Sequence, residues 1–490
     1  MSRVTRIKFW VSSSMNQAGI VSADQTDQTA RDFDVIVIGA GPAGASAALH
    51  ASSLGAKVAL IDRERTGGTC TNTGCVPTRV LAITARLLRD IRGAAAYGIE
   101  VSEPKLDWKR TVARVQEVIG DVNANKNLVP KLAQNGGKLF LGGQASFVSS
   151  HRIRLATGRE LSGDKIILAI GGQARRPPIP GIEHAITPEE LFSLEALPQR
   201  VAIIGSGYTG VQVTTILNAF GVDVTLLEMA PGILPGADAD VSSTLAKKFE
   251  DQGIHVVTGL ESVKQIERNG LTYSKSGNDH HLESDAVILC VGWPAALEGL
   301  GAERIGLETE RGFVKINEHL QSNLEHIFVA GDANGRDMLV QGADFEGRLC
   351  AENAVLGRLQ VYRRDLLPSG GFTDPDHAGV GLTEAQARTQ NLDIVVTLEH
   401  YEHLDRAIID NRRTGFMKLI VARESGQLIG AHATGENAVE LIQGLALAMA
   451  SSATVQTLSS VRLAYPTYSA IIGQAARNIL ANLESKVRQA

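Results

Sequence analysis

One pattern is written twice in this chain, and it limits the fold more than any other feature. The first copy runs Asp34-Val-Ile-Val-Ile-Gly39-Ala-Gly41-Pro-Ala-Gly44, passes through small residues and ends in Val58-Ala-Leu-Ile-Asp62. The second runs Val201-Ala-Ile-Ile-Gly205-Ser-Gly207-Tyr-Thr-Gly210 and ends in Val224-Thr-Leu-Leu-Glu228. Each reads as a buried strand, a glycine turn, a helix and a second strand closed by an acid. Asp62 follows Gly44, and Glu228 follows Gly210, by the same eighteen residues. Such a unit binds a dinucleotide: the first glycine permits the bend, the second lets backbone approach the pyrophosphate, and the third lets helix and strand pack closely. The phosphates face the free N–H groups of the helix N-terminus, and the acid accepts ribose hydroxyls. A lone glycine fingerprint is weak evidence, but two complete copies predict two nucleotide sites in an α/β fold.

At roughly 150 residues per domain, 490 residues suggest about three domains. Hydrophobic residues at 44% and charged residues at 21% match a soluble globular chain, and no apolar run approaches the ~18 residues that span a bilayer. Lys and Arg number 48 against 53 for Asp and Glu, so the net charge of −5 carries no signature of a nucleic-acid or membrane partner. Four cysteines are too few for a secreted disulfide framework, which predicts a reducing, cytoplasmic setting. Arg3, Arg6 and Lys8, followed by Ser12 to Ser14 with no acid before Asp24, faintly resemble a transit peptide. A disordered tail, or a true start at Met15, is the plainer expectation.

Three short apolar runs end in glycine: 166–171, 286–292 and 327–331. They read as sheet strands whose glycine ends meet a ligand or a domain crossing. From about Thr373 the fingerprint disappears, and a strand at 416–421 with helices at 437–450 and 469–483 predicts a separate α+β domain.

The chemistry is concentrated in Gly67-Gly68-Thr69-Cys70-Thr-Asn-Thr-Gly74-Cys75-Val76-Pro77-Thr78-Arg79. The two cysteines lie about one helical turn apart, a spacing that allows an intrahelical disulfide, and a helix N-terminus with Arg79 nearby would stabilise a thiolate. Zinc is the rival, but no His or further Cys is near in sequence, so a redox pair is preferred and no metal site is expected. Cys290 and Cys350 read as small buried hydrophobes, His280-His281 as a solvated turn, and Trp293 as packing on the sheet.

From about Asp32 to the C-terminal helix, these residues resemble the pyridine nucleotide-disulfide oxidoreductase family, which includes glutathione reductase, dihydrolipoyl dehydrogenase and mercuric reductase. The resemblance implies two Rossmann-like domains, FAD in the first and NAD(P)H in the second, plus a C-terminal α+β dimerisation domain. The implied boundaries are 1–31 tail, 32–190 and 309–372 FAD-binding, 191–308 NAD(P)-binding, and 373–490 dimerisation. Cys75 would be the thiol nearest the flavin and Cys70 the interchange thiol facing substrate. Gly39, Gly41, Gly44, Asp62, Gly68, Thr69, Gly171 and Asp332, the last within Phe328-Val-Ala-Gly-Asp, would serve FAD. Gly205, Gly207, Tyr208, Gly210, Glu228 and Gly292 would serve the nicotinamide nucleotide, with Tyr208 as its aromatic gate. Val380-Gly-Leu-Thr-Glu384, Gly415-Phe-Met-Lys418 and Gly435-Glu-Asn-Ala-Val-Glu440-Leu-Ile442 carry the resemblance in the dimerisation domain and imply a homodimer.

The chain departs from its relatives where the acceptor is handled. Disulfide reductases carry His-Pro with a Glu four residues after the Pro; here the run is Tyr465-Pro466-Thr467-Tyr468-Ser469-Ala470, with no histidine after His432. Losing a positioned acid-base commonly lowers rate by ~10²- to 10⁴-fold, and Tyr465, with an ordinary pKa near ~10, is a poor base at neutral pH. Mercuric reductases also carry Tyr there but add a C-terminal Cys pair, absent from the run after Asn482. Arg79 and Gln212 stand where relatives have a Lys and a Glu beside the flavin; Arg keeps its charge and Gln cannot balance it. No Arg or Lys follows Glu228 through Asp238, which predicts NADH over NADPH. The resulting expectation is an enzyme passing electrons from NADH through flavin to Cys70/Cys75, then to an acceptor needing little proton transfer, such as Hg(II), a quinone or another oxidant. The alternatives are a dihydrolipoyl dehydrogenase or small-disulfide reductase with an atypical acid-base, and a redox-sensing flavoprotein without turnover.

Overall fold

The computed structural model describes residues 20–22, 32–362 and 366–487. Three sheets organise it. In the first, parallel strands run in the order Lys138–Leu141, Val58–Asp62, Phe33–Ile38, Glu160–Leu168, with Ile327–Val329 paired beyond Glu160–Leu168. Covered on both faces, such strands read as unbroken apolar runs, and Ile36, Val37 and Leu60 are fully buried. Ile20–Ser22, within the segment read as a tail, pairs in parallel with Lys138–Leu141; the rest of 1–31, Met15 included, lies outside the described residues. The strand expected at 166–171 runs Glu160–Leu168 instead. Its polar first half, which hid it from an apolar reading, pairs antiparallel with Arg152–Arg154.

Helix Pro42–Ser53 owes its place to small residues. Ala43, Ala47 and Ala51 are buried against helix Val340–Leu356, and Gly347 of that helix lies on the Ala43 carbonyl, where a Cβ would collide. The chain thus leaves the first domain after Glu160–Leu168 and returns to it at Ile327.

The second sheet orders His255–Val257, Asp223–Leu227, Arg200–Ile204 and Ala286–Leu289 in parallel. A three-stranded antiparallel flap, Ser262–Glu267, Gly270–Lys275 and Asn278–Glu283, is inserted before its last strand. His280 and His281 lie in the final flap strand and not in a turn; the turn is Ser276-Gly277, both at positive φ. The third sheet is antiparallel, in the order Ser369–Gly371, His377–Gly381, Leu428–Thr434, Phe416–Ala422, Ile394–His400, with helices Ala438–Ala450 and Ala470–Val487 packed on it. It begins at Ser369, ahead of the Thr373 where the change in sequence character was read.

Lys418, in the buried strand Phe416–Ala422, ties the second domain to the third. Its ammonium reaches Asp238 Oδ1 at 2.9 Å, Asp240 Oδ2 at 2.8 Å and Glu384 Oε2 at 2.7 Å. Among the described residues no helix is long and apolar enough to cross a membrane.

Candidate active site

The two glycine turns are built alike. Gly39 and Gly205 take φ values of +104° and +97°, pressed against the carbonyls of Ala169 and Cys290 respectively. Gly44 and Gly210 lie on the carbonyls of Gly39 and Gly205, so any side chain there would push the helix off its strand. Gly41 and Gly207 open the two helices without a side-chain cap, and no atom crowds the place a Cβ would take. The leading N–H groups of both helices are therefore available to an anion, and the backbone can approach a pyrophosphate. The residues fit the dinucleotides that the motif predicts.

The two acids also brace these turns, a role the sequence did not reveal. Asp62 Oδ2 accepts from Ala40 N at 2.6 Å. Glu228 Oε2 accepts from Ser206 N at 2.8 Å and from its hydroxyl at 2.7 Å, and Oε1 accepts from Ala230 N at 2.8 Å. Burial raises the Asp62 pKa, while the backbone donors hold it back.

The cysteines do not share one helix, contrary to the intrahelical spacing. Cys70 lies in the short helix Gly68–Asn72, and Cys75 is the first residue of the long helix Cys75–Arg92. The break falls at Thr73-Gly74, where Gly74 N donates to Thr69 O at 2.7 Å. Thr69 thus shapes the loop through its carbonyl, and Cys75 takes the position where the helix dipole favours a thiolate. Gly68, at φ +56°, lies so close to Gly41 that a Cβ would come within 2.6 Å of the Gly41 Cα. That contact places the cysteine loop directly on the first nucleotide turn.

Both cysteines are free, and their sulfhydryls are hydrogen-bonded to each other. The shared bond pulls the Cys70 thiol down to about 7; burial and Asp332 oppose this, and Lys126 assists it. The same bond, with burial and the neighbouring charge, pushes Cys75 up. The pair releases its first proton easily and holds the second.

Asp332 lies in the turn Gly331–Asn334, and burial raises its pKa. Beneath it Glu346, fully buried and pushed by burial to about 7, accepts from Gly331 N at 2.7 Å and Asn334 Nδ2 at 2.8 Å. Trp293 does more than pack on a sheet. Its indole crosses Gly172 of the first domain and hydrogen-bonds the Asp332 carboxyl. Gly171 and Gly292 sit on either side of this crossing, both at positive φ.

Arg79 and Gln212 meet on one residue and not on each other. The Arg79 guanidinium stacks 3.7 Å from the Phe372 ring centroid, while Gln212 Oε1 accepts from Phe372 N at 3.2 Å and its Nε2 donates to Tyr208 O at 2.9 Å. The leading acid acting on Arg79 is Asp376, a half-buried carboxyl pushed to about 7 by desolvation and Glu436, which sequence reading passed over. Tyr208 donates its hydroxyl to Ser369 Oγ at 3.1 Å and stacks on His377, whose burial pulls its pKa to about 4. Tyr465 stands apart: it is 77% exposed, and its hydroxyl donates to Asp405 Oδ2 at 2.9 Å, not to any residue of its own chain's cysteine loop. That bond raises the Tyr465 pKa above the ordinary phenol value.

Cys290 and Cys350 are held protonated by burial, Cys290 at about 12. No cluster of three or more His, Cys, Asp or Glu placed to hold a metal ion occurs among the described residues.

Two dinucleotide turns with a dithiol loop against the first define a flavin-dependent, pyridine-nucleotide oxidoreductase. The chain belongs to the pyridine nucleotide-disulphide oxidoreductase family, whose model matches residues 33–347 and whose dimerisation-domain model matches 367–476. It is 31% identical over 442 residues to a glutathione reductase of Nostoc sp., covering 86% of this chain and 95% of that protein. It is also 31% identical to a dihydrolipoyl dehydrogenase of Chlorobaculum parvum over 475 residues, covering 94% of this chain and 99% of the relative. A mercuric reductase of Staphylococcus aureus is 30% identical over 444 residues, covering 89% of this chain and 80% of its own length. Among solved structures, the HOCl-induced flavoprotein disulfide reductase RclA from Escherichia coli superposes with a TM-score of 0.79 at 28% identity, covering 91% of this chain and 99% of that one. Members of this family bind FAD and NAD(P)H.

Proposed function

We propose that this enzyme takes electrons from NADH and delivers them through the Cys70–Cys75 pair to an acceptor that needs little proton transfer: a metal ion such as Hg(II), a quinone or another oxidant. FAD, when bound, supplies the two-electron link between nicotinamide and disulfide. The chain's own residues do the rest. Glu228 favours the ribose diol of NADH over a 2′-phosphate, and Cys70, the easier of the pair to ionise, presents the thiolate to the acceptor. Delivery oxidises the dithiol to the disulfide and gives two electrons to the acceptor; the two thiol protons pass to solvent, from which a quinone draws the two it needs to become a quinol.

The observation that carries this reading is the state of Tyr465. Its proton is committed to Asp405 and its pKa raised, so at neutral pH it takes no proton from a thiol substrate. The named relatives reduce or oxidise quite different partners, so the acceptor must be read from this chain's own residues. A homodimer, in which the Tyr465 segment completes the other subunit's site, and a cytoplasmic setting are part of the proposal. The dimerisation-domain match and four free cysteines support them.

Steady-state NADH oxidation with Hg(II), a soluble quinone, lipoamide and glutathione disulfide as acceptors tests the reading. Turnover with the first two should exceed the thiol-forming reactions by ~10²-fold or more, the usual worth of a positioned acid-base. Equal or faster turnover with lipoamide would overturn it in favour of a dihydrolipoyl dehydrogenase.

A further inference from the structure

The cysteine loop is held from outside by the end of one helix. Helix Trp108–Lys126 finishes against it: Asn123 Nδ2 donates to Asn72 Oδ1 at 3.2 Å, and Lys126 Nζ donates to Thr71 Oγ1 at 2.5 Å. Gly67 has no room for a Cβ because Asn123 fills that space. Asn72 is fixed in turn by bonds to the carbonyls of Thr66 and Gly68. Thr71, next to Cys70 in the chain, is fully buried, whereas Lys126 is exposed, so its ammonium is anchored on the cysteine loop with its outer side in solvent. A lysine in the last helical turn is also favoured there by the helix dipole.

The charges facing Cys70 are few. Cys75 approaches from the following helix, Asp332 from the turn Gly331–Asn334, and Lys126 from the helix end. Farther along the loop, Glu189 accepts from the Thr73 hydroxyl at 2.9 Å, and Arg79 is turned away onto Phe372. Asp332 disfavours a thiolate at Cys70, and Lys126 opposes it.

We propose that Lys126 is a positioning residue of the dithiol centre: tethered through Thr71, it stabilises the thiolate of reduced Cys70. Tyr465 carries no charge at neutral pH, so Lys126 provides the fixed positive charge on the acceptor side of the pair. The thiol proton goes to solvent, and no proton transfer through Lys126 is involved. The proposal rests on Cys70 being the exchanging thiol of the proposed function, but it can be tested without nicotinamide.

The test reduces the holoenzyme with dithiothreitol, removes the reductant and measures Cys70 alkylation by iodoacetamide across pH, locating the label by peptide mass mapping. In Lys126→Met the alkylation profile should move to higher pH, with the rate at neutral pH falling by roughly threefold, the scale of one solvent-exposed charge interaction. Lys126→Arg keeps the charge and should keep the wild-type profile. Identical profiles in wild type and Lys126→Met would overturn the proposal. So would equal shifts in the Met and Arg variants, which would assign Lys126 a purely structural part. A failure of NADH to reduce the pair would instead refute the relay, and would leave the alkylation profile unchanged.

Discussion

Lys418 offers the sharpest energetic test of how the domains are held. Its side chain is 3% exposed and that of Asp238 is 1% exposed. Lys418→Met keeps most of the aliphatic stem but leaves the Asp238 charge buried. Breaking a buried pair from one side typically loses ~3–5 kcal/mol. Asp240 at 47% and Glu384 at 27% exposure keep water as an alternative partner, which sets the expected loss near ~3 kcal/mol, the low end. Amide exchange in the first turn of helix Ala239–Asp251 reads this opening directly, and it should quicken by roughly 10²-fold. Adding Asp238→Asn should recover much of the loss, because Asn can still cap the helix at the Asp240 amide without a buried charge. The pH dependence has a definite sign. Burial works to raise Asp238, but Lys418 and the Glu384 amide hold it below the usual range, and the Lys418 bond lowers Glu384. Their contribution in wild type is present above the unfolded carboxylate pKa of ~4 and is lost as pH falls through the folded values. In Lys418→Met the lysine no longer holds Asp238 down, so moving from about pH 6 to about pH 4 should slow exchange there by neutralising the stranded acid. Unchanged exchange in Lys418→Met, or no recovery on adding Asp238→Asn, would refute this reasoning.

Two further outcomes follow from the site. In the proposed assignment Glu228 receives the ribose diol and would repel a 2′-phosphate, so kcat/KM for NADPH should lie about tenfold or more below that for NADH, a ratio that stopped-flow reduction measures and that parity would contradict. Tyr465→Phe removes the hydroxyl bonded to Asp405 but no working base, so turnover with a proton-poor acceptor should stay within about threefold of wild type and its pH profile should not move. A large loss with a shifted profile would show that the phenol does carry a proton.

Much of this fold was legible because its signals are local. Gly39, Gly41 and Gly44, and their counterparts at 205, 207 and 210, announce a turn geometry that few other residues tolerate, and the apolar runs beside them mark doubly covered strands. The strand Glu160–Leu168 was misplaced because its first half belongs to an antiparallel pairing and carries polar residues. His280-His281 was read as a turn because polarity alone does not separate an exposed strand from a loop. The Cys70–Cys75 spacing suggested one helix, since nothing local foretold that Gly74 would end one and begin another. Lys126, Asp376 and Glu346 left no signal at all. Each acquires its role from a contact remote in sequence: Lys126 with Thr71, Asp376 with Arg79 and Glu436, Glu346 with the turn holding Asp332. Trp293 was noticed, but its reach to Asp332 depends on how two domains meet.

The central claim is that electrons from NADH reach the Cys70–Cys75 pair, and an anaerobic NADH titration of the holoenzyme, followed by visible absorption, tests it most directly. The account predicts a long-wavelength band that grows with NADH in wild type and is absent in Cys75→Ser, since only Cys75 would lie against the flavin. Bleaching of the flavin with no such band in wild type would contradict it, placing the cysteines outside the electron path.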